Sequence, residues 1–206
     1  MEIRSLFPTP LVQSTVEDAA LVAELRRAIL ERETAEPGVT HSNDGGWQSA
    51  ADFAEWSGPS GQSIIGAVRA TVDQLTAYFD GTLLSGNTVD WRVQAWANVN
   101  RSGAANHLHF HPGAFWSACL YIDDGGIDGG TALGGAIEFS DPRGALPLMY
   151  APSVKMRIAN CVTAGLGERV FPKTGMLLLF PAWLAHSVTR YTGNGTRVSV
   201  TMNFCL

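Results

Sequence analysis

A change of hydrophobic period at about Trp91 constrains the fold of this chain more than any other feature. From Trp91 to Asn100, and again from Thr196 to Phe204, apolar and polar residues alternate, which is typical of strands with one buried face. Met176 to Phe180 is a continuous apolar run, as in a strand buried on both faces. Phe115 to Ile122 and Ala136 to Phe139 are further short strand candidates. Short strands with Gly and Pro turns and no alternating helices indicate an antiparallel barrel or jelly roll.

The first third of the chain has helical spacing instead. Ser14-Thr-Val-Glu17 has the spacing of a capping box and predicts a helix start. The apolar stripe that follows consists of Leu21, Val22, Leu25, Ala28 and Ile29. A second helix is predicted from about Ser60 to Phe79, and the Gly- and Asn-rich segment from His41 to Ser49 is predicted to be a loop. We therefore predict a mainly β fold with N-terminal helices, in a single domain over residues 1–206.

Composition bears on partners and location. The 206 residues are 46% hydrophobic and 16% charged, which allows a substantial core. The net charge is −5 and the lysines are Lys155 and Lys173, so we expect no nucleic-acid partner. Cys119, Cys161 and Cys205 are widely spaced, as free thiols in a reducing compartment would be. No signal peptide and no membrane span is predicted, so we expect a cytoplasmic protein.

Four of the five histidines are candidates for a metal site. His107, His109 and His111 alternate, so their imidazoles can point to one side of an extended segment. His186 follows the buried apolar run. Two imidazoles from one strand and a third from a distant strand can hold iron, copper, nickel or zinc in a small barrel. Packing alone explains three alternating histidines poorly, so we predict a metal site, with the choice among the three left open.

The polar face of the last predicted strand is a second candidate site. If its valines and methionine pack against the helices, the polar residues that line the barrel interior are Arg197, Ser199, Thr201 and Asn203. A buried arginine is costly unless it meets an anion, and a guanidinium binds a carboxylate through two hydrogen bonds. A solvated face, or an internal pair between Arg197 and an Asp or Glu, is the alternative. Beside a metal site, a carboxylate-bearing co-substrate is the better interpretation.

These candidates belong to a pattern that extends over nearly the whole chain. Its motifs are Leu6-Phe-Pro-Thr-Pro10, Gly45-Gly-Trp-Gln-Ser49, Trp96-Ala-Asn98, His109-Phe-His111-Pro112, Ser117 with Tyr121, Gly135-Ala-Ile-Glu-Phe-Ser-Asp-Pro-Arg143, Phe171-Pro-Lys-Thr-Gly175, Phe180-Pro181, His186 and Arg197-Val-Ser199. Through them the chain resembles the 2-oxoglutarate/Fe(II)-dependent oxygenase superfamily, most closely a group of small bacterial members. The resemblance implies a double-stranded β-helix, a jelly roll like that of the cupins.

The resemblance also implies a metal centre with one departure from the usual pattern. His109 matches the first iron ligand, through His-x-His-Pro, and His186 matches the distant one. His111 replaces the usual carboxylate ligand, and a third imidazole leaves more positive charge on the metal. This leaves open that Glu138 or Asp141 completes the ligand shell, or that the metal is not iron.

The co-substrate site follows from the same match. Arg197 corresponds to the anchor of the distal carboxylate of 2-oxoglutarate, and Ser199 corresponds to its helper. Asn98 and Tyr121 are expected in the same cavity. The implied enzyme is a dioxygenase that uses Fe(II), 2-oxoglutarate and molecular oxygen to hydroxylate a small-molecule or peptide substrate. A homodimer is compatible with the sequence, since barrels of this kind often pair through an edge or a terminal helix.

Two other classes of protein fit part of the pattern. A cupin would use Gly103, His109 and His111, but Trp116 stands where the cupin glutamate is expected. The distance from Gly175 to His186 is also too long for the second cupin motif. The other alternative is a catalytically silent β-helix that binds a metal or a small acid.

Overall fold

Two antiparallel sheets form the body of the structure, a computed structural model that describes residues 6–82, 89–144 and 167–206 and the single residues 149, 151 and 153. The larger sheet has the strand order β1-β9-β6-β11-β4-β3. Its strands are β1 (Val12–Thr15), β3 (Trp47–Gln48), β4 (Arg92–Asn100), β6 (Trp116–Asp124), β9 (Met176–Pro181) and β11 (Arg197–Cys205). Strand β11, one of three nine-residue strands, lies between β6 and β4; it pairs with β4 from Arg197 to Cys205 and with β6 from Arg197 to Phe204.

The smaller sheet has the order β2-β5-β10-β7-β8. Its strands are β2 (Asn43–Asp44), β5 (Ala105–His109), β7 (Ile137–Phe139), β8 (Glu168–Val170) and β10 (His186–Val188). Buried residues of the two sheets pack against each other, including Tyr121 and Phe180 from the larger sheet and Phe139 from the smaller. Two facing antiparallel sheets form a jelly roll, in agreement with the prediction.

Three helices cover the outer face of the larger sheet: α1 (Ala19–Ala35), α2 (Phe53–Trp56) and α3 (Gly58–Leu75). The buried side chains of α1 and α3 are Val22, Leu25, Ile29, Ile64, Ile65, Val68 and Val72. They join one core with Val198, Val200 and Met202 of β11. Full burial of such a side chain contributes about 1.5–3 kcal/mol. The apolar face of β11 therefore packs against the helices, which turns its polar face towards the smaller sheet.

Strand β9 serves both cores, as its continuous apolar sequence predicts. Leu177 and Leu179 belong to the core under the helices. Leu178 and Phe180 belong to the core between the sheets. Because successive strand residues point to opposite faces, such a strand needs apolar residues at every position.

The structure corrects three predictions about the N-terminal third. The capping box was wrong: Ser14 lies in β1 opposite Leu177, and α1 begins later, where the Asp18 carboxylate accepts from the backbone N–H of Ala20 and Leu21. Helix α3 ends at Leu75, and Phe79 lies exposed beyond it. The predicted loop from His41 to Ser49 contains the two-residue strands β2 and β3.

The predictions about thiols and membranes are tested only in part. Cys119 and Cys205 are buried and free of disulfides, whereas Cys161 lies outside the described residues. In the described ranges, no helix is both long and apolar enough to cross a membrane.

Candidate active site

Three histidine side chains converge between the sheets. One nitrogen from each of His109, His111 and His186 lies within 4.8 Å of the others. The centroids of the His109 and His186 rings are 4.4 Å apart, and the His111 ring lies 5.1 and 5.2 Å from them. This is the spacing of side chains that can share one metal ion. The structure thus brings together the His-x-His-Pro pair and the distant histidine.

Strand pairing in the smaller sheet produces this convergence. His109 is the last residue of β5 and lies directly opposite His186, the first residue of β10. His111 follows β5 in a turn, where its backbone N–H donates to the Ala182 carbonyl oxygen at 2.9 Å. Gly113 completes this turn with a φ of +86°, a conformation that favours glycine. The His111 imidazole therefore comes from a turn that this hydrogen bond holds to the segment directly after β9.

Hydrogen bonds to the rings leave one nitrogen of each histidine for a metal. The Nδ1 of His109 lies 2.7 Å from the His107 carbonyl oxygen, and the Nδ1 of His186 lies 2.8 Å from the Leu184 carbonyl oxygen. Since a carbonyl oxygen only accepts, both Nδ1 atoms must carry the proton, and both Nε2 atoms have free lone pairs. The Nε2 of His111 is buried and has no hydrogen-bond partner in the ranges that the structure describes. All three rings can therefore coordinate through Nε2.

Burial keeps these imidazoles neutral. It is the main cause that lowers the pKa of His111 to about 3, with the neighbouring His186 and His109 adding to the effect. Burial also lowers the pKa of His186 to about 4 and lowers the pKa of His109. Neutral imidazole is the form that binds a metal. The cluster is consequently ready for a cation at neutral pH.

No carboxylate among the described residues belongs to this cluster. The two candidates from the sequence are paired elsewhere: Glu138 lies 2.5 Å from Arg169, and Asp141 lies 2.8 Å from Arg143. His107 is exposed and also stands outside the cluster, although it lines the same cavity. Of the three alternating histidines, His109 and His111 lie in the cluster with His186, and His107 does not.

Arg197 lies inside the same cavity with no counter-charge among the described residues. The residue is 3% exposed, its Nε is buried without a hydrogen-bond partner there, and no ion pair joins its guanidinium to a described carboxylate. Within the described part of the chain, Arg197 therefore lies neither on a solvated face nor in an internal ion pair. A buried cation without a paired anion is unfavourable, so this site favours an anionic ligand.

A glycine lies beside the arginine. Gly135 has a φ of +71°, and a Cβ there would lie 2.7 Å from the Ile127 Cδ1 and at an ordinary contact distance of 3.6 Å from the Arg197 Cδ. A side chain at this position would be strained in its backbone and would clash with Ile127. Gly135 therefore allows the close packing of Ile127 at this edge of the cavity.

The other co-substrate candidates surround Arg197. Ser199 lies opposite Tyr121 on β6 and opposite Asn98 on β4. All three line the cavity, and the Tyr121 hydroxyl is buried without a hydrogen-bond partner in the described part of the chain. Asn98 donates to the Thr201 hydroxyl at 3.3 Å. An unpaired hydroxyl beside an unpaired guanidinium is the donor set that a carboxylate would satisfy.

The cavity has a volume of about 760 Å³ and contains residues to which the sequence analysis assigned no function. Trp96 lies 5.7 Å from the His111 ring, between the centroids. Gln94 and Asn203, opposite each other on β4 and β11, line the wall beside it. Their alternation with apolar residues was a usable signal, since it places them on the same face as Asn98 and Arg197.

Comparison with known proteins gives one match at the level of a family. A family model described as "Putative 2OG-Fe(II) oxygenase" matches residues 94–203, which include all the site residues above. No curated protein matches the sequence.

Several solved structures are similar in fold. A prolyl-4-hydroxylase from Pseudomonas putida has a TM-score of 0.64 at 17% identity, over 95% of this chain and 91% of that one. A Trichoplax adhaerens prolyl hydroxylase in complex with a hypoxia-inducible factor peptide has a TM-score of 0.63 at 11% identity, over 95% and 83%. HygX from Streptomyces hygroscopicus with nickel and 2-oxoglutarate bound has a TM-score of 0.61 at 13% identity, over 96% and 83%. The fold is thus the double-stranded β-helix.

Proposed function

Because this chain belongs to the 2-oxoglutarate/Fe(II) oxygenase family, we propose that His109, His111 and His186 hold its iron and that Arg197 anchors its 2-oxoglutarate. The protein is an oxygenase dependent on Fe(II) and 2-oxoglutarate, and it uses molecular oxygen. We assign the family's roles to these particular side chains because they share one cavity.

The unpaired guanidinium of Arg197 is the observation that carries the proposal. A metal site alone would fit many kinds of protein, including a cupin. A buried arginine without an anionic partner among the described residues, in the same cavity as three convergent imidazoles, fits a ligand that has both a chelating end and a carboxylate end. 2-Oxoglutarate has both.

Each residue then has a separate task. The three imidazoles hold the metal through Nε2, and the carbonyl oxygens of His107 and Leu184 fix two of the rings by accepting from Nδ1–H. Arg197 binds the far carboxylate of the co-substrate through paired N–H groups, and the hydroxyls of Ser199 and Tyr121 donate to the same group. Asn98 helps to hold the wall next to them through its bond to Thr201.

When bound, Fe(II) and 2-oxoglutarate supply the activation of oxygen that ends in succinate, CO₂ and a hydroxylated substrate. The protein positions the two and shelters them. The cavity lies between two sheets, and Phe139 and Phe180 pack at 5.9 and 4.9 Å from the His186 ring. Apolar rings on this side restrict water at the metal, which favours coupling of the reaction to substrate.

The finer features of the prediction belong to this proposal as well. We infer a cytoplasmic location from the free thiols of Cys119 and Cys205. Either a small molecule or a peptide segment could be hydroxylated, since one similar structure holds a peptide and another, of HygX, holds hygromycin B. A single domain over residues 1–206 and a homodimer stay predictions.

Anaerobic titration of the apo-protein with Fe(II) and then 2-oxoglutarate tests the assignment. We expect the visible charge-transfer band of the chelate in wild type and its loss in His109→Ala and His186→Ala. Arg197→Met should shift the titration to much higher 2-oxoglutarate concentrations. Metal bound without any band would contradict the co-substrate assignment. A band without succinate formation in air would point to a silent binding module.

A further inference from the structure

The cavity has no acidic side chain among its described lining residues. Outside the described ranges the sequence contains a single acidic residue, Glu2. Two of the three acidic residues on the strands of the smaller sheet are paired with arginines, Glu138 with Arg169 and Asp44 with Arg190, and the third, Glu168, is not among the cavity-lining residues. A cation that enters this cavity would therefore meet no fixed negative charge from these strands.

The positive charge in the cavity is not balanced by the co-substrate. The two positive charges of Fe(II) and the two negative charges of 2-oxoglutarate cancel, and His111, the imidazole that replaces a carboxylate ligand, is neutral. Arg197 is the one Arg or Lys among the described lining residues, and its charge is left over. In a sheltered site the charge of a bound metal has to be counted with those of the side chains. With an aspartate at position 111, the net charge of Fe(II), 2-oxoglutarate, Arg197 and the three metal ligands would be zero.

We propose that the primary substrate of this enzyme is an organic anion that carries one carboxylate or similar acidic group. This inference deepens the proposed function and depends on it. A substrate with one negative charge neutralises the filled site, whereas a neutral substrate leaves the excess charge in place. A cationic substrate would add to it, at a cost that a low effective dielectric makes large.

The wall beside the metal offers uncharged donors for such a group. The Oδ1 of Asn203 accepts from the Ser117 hydroxyl at 2.8 Å, which leaves the amide NH₂ of Asn203 available to donate. Gln94 lies opposite Asn203 in the sheet. The indole N–H of Trp96 has no hydrogen-bond partner among the described residues, and its ring lies 5.7 Å from His111. Neutral donors bind a carboxylate without adding to the charge, and both amides can also accept from a substrate hydroxyl.

Binding of matched acids and amides tests the proposal without turnover. The protein is saturated with Fe(II) and 2-oxoglutarate under anaerobic conditions, and calorimetry measures binding of benzoate against benzamide and of N-acetylglycine against N-acetylglycinamide. We expect each acid to bind at least about tenfold more tightly than its amide, because its negative charge would lie close to the excess positive charge of the cavity. Equal affinities, or tighter binding of the amides, would overturn the proposal.

Two variants show whether the cavity charge is the cause. Gln94→Glu adds a negative charge to the lining and should reduce the preference for acids by about tenfold. Gln74→Glu makes the same change at an exposed position on α3 and should leave the preference unaltered. His111→Asp should act like Gln94→Glu if it retains the metal, and Gln94→Glu decides alone if it does not. A preference that survives Gln94→Glu undiminished would overturn the proposal.

The same samples separate this inference from the proposed function. If the metal-loaded protein fails to bind 2-oxoglutarate, both fall. If 2-oxoglutarate binds with its charge-transfer band and acids have no advantage over amides, only the anionic substrate is rejected.

Discussion

The guanidinium carbon of Arg197 lies 5.1 Å from the centroid of the Tyr121 ring, and neither the Arg197 Nε nor the Tyr121 hydroxyl has a hydrogen-bond partner among the described residues. The aromatic face offers the cation partial compensation. It cannot replace an anion, because a cation–π contact contributes only about 0.5–2 kcal/mol. Burial also raises the pKa of Tyr121, so its hydroxyl stays protonated and is a donor. The Arg197 guanidinium and the Tyr121 hydroxyl are thus two neighbouring donors that one carboxylate could satisfy, which leads to the following predictions.

Replacement of Arg197 should separate stability from co-substrate binding. Arg197→Met removes an unpaired buried charge, so we expect the free energy of unfolding of the apo-protein to rise by about 1 kcal/mol or more. The same change should weaken 2-oxoglutarate binding at least about tenfold, since charged hydrogen bonds contribute roughly 1.5–3 kcal/mol. Urea denaturation and 2-oxoglutarate titration measure the two effects. Arg27→Met, at an exposed position on α1, is the control and should change neither by much. Loss of apo-protein stability in Arg197→Met would mean that Arg197 has an internal partner.

Two buried tyrosines should respond oppositely to loss of the hydroxyl. Tyr121→Phe removes a hydroxyl without a partner, so we expect apo-protein stability to stay the same or rise, while 2-oxoglutarate affinity falls by about 1 kcal/mol. Tyr191→Phe removes a hydroxyl that donates to the Gly125 carbonyl oxygen and should cost about 1 kcal/mol of stability. Chemical denaturation compares them. Equal losses of stability in the two variants would contradict the assignment of Tyr121.

The histidines should differ sharply in their effect on metal binding. His109→Ala and His186→Ala each remove one of three ligands, so we expect loss of stoichiometric Fe(II) under conditions in which wild type binds one equivalent. His107→Ala is the matched control from the same strand and should retain the metal, because His107 stands outside the cluster. Metal analysis after gel filtration measures this. Loss of metal in His107→Ala would show that the ligand set is wrong.

The stability of the apo-protein should fall in acid. The pKa values of His111 and His186 are about 3 and about 4, below the usual 6.5. Between about pH 4 and pH 6.5 the unfolded chain therefore binds more protons than the folded protein. Stability therefore increases with pH in this window and is lost as the pH falls from about 6.5 towards 4. Denaturation of apo-protein at pH 7.5, 6 and 4.5 measures the slope. A variant with both histidines changed to glutamine should have a smaller slope, and an unchanged slope would assign the effect to other groups.

The packing of α1 against the larger sheet sets the stability of the wall that holds Arg197. Leu25 is 1% exposed, so Leu25→Ala should cost about 2–5 kcal/mol. Leu75, at the end of α3, is 43% exposed, and Leu75→Ala should cost less than about 1 kcal/mol. Thermal or urea unfolding distinguishes them. Similar losses in the two variants would contradict the packing of α1 described above.

Much of this site could be predicted from local sequence. Alternation in β11 assigned Arg197 and Ser199 to one face and Val198 and Val200 to the other, because side chains in a strand change sides at every residue. The same rule placed Gln94, Trp96 and Asn98 together on β4. The sequence was less informative about helix ends. The residues from Ser14 to Glu17 have the spacing of a capping box, but Ser14 lies in a strand because it pairs with Leu177, a contact between distant parts of the chain.

The sequence by itself determined which residue types are available and which face of each strand they share. Only the tertiary structure decided which imidazoles meet, because the pairing of His109 with His186 joins strands far apart in the chain and depends on their register. It also decided that Glu138 pairs with Arg169 on the neighbouring strand and that Arg197 is left unpaired among the described residues. Charge pairing acts over a few ångströms in space, and local periodicity carries no information about such distances. For this reason the residue types that line the cavity could be predicted from the sequence, whereas the charge balance of the cavity could not.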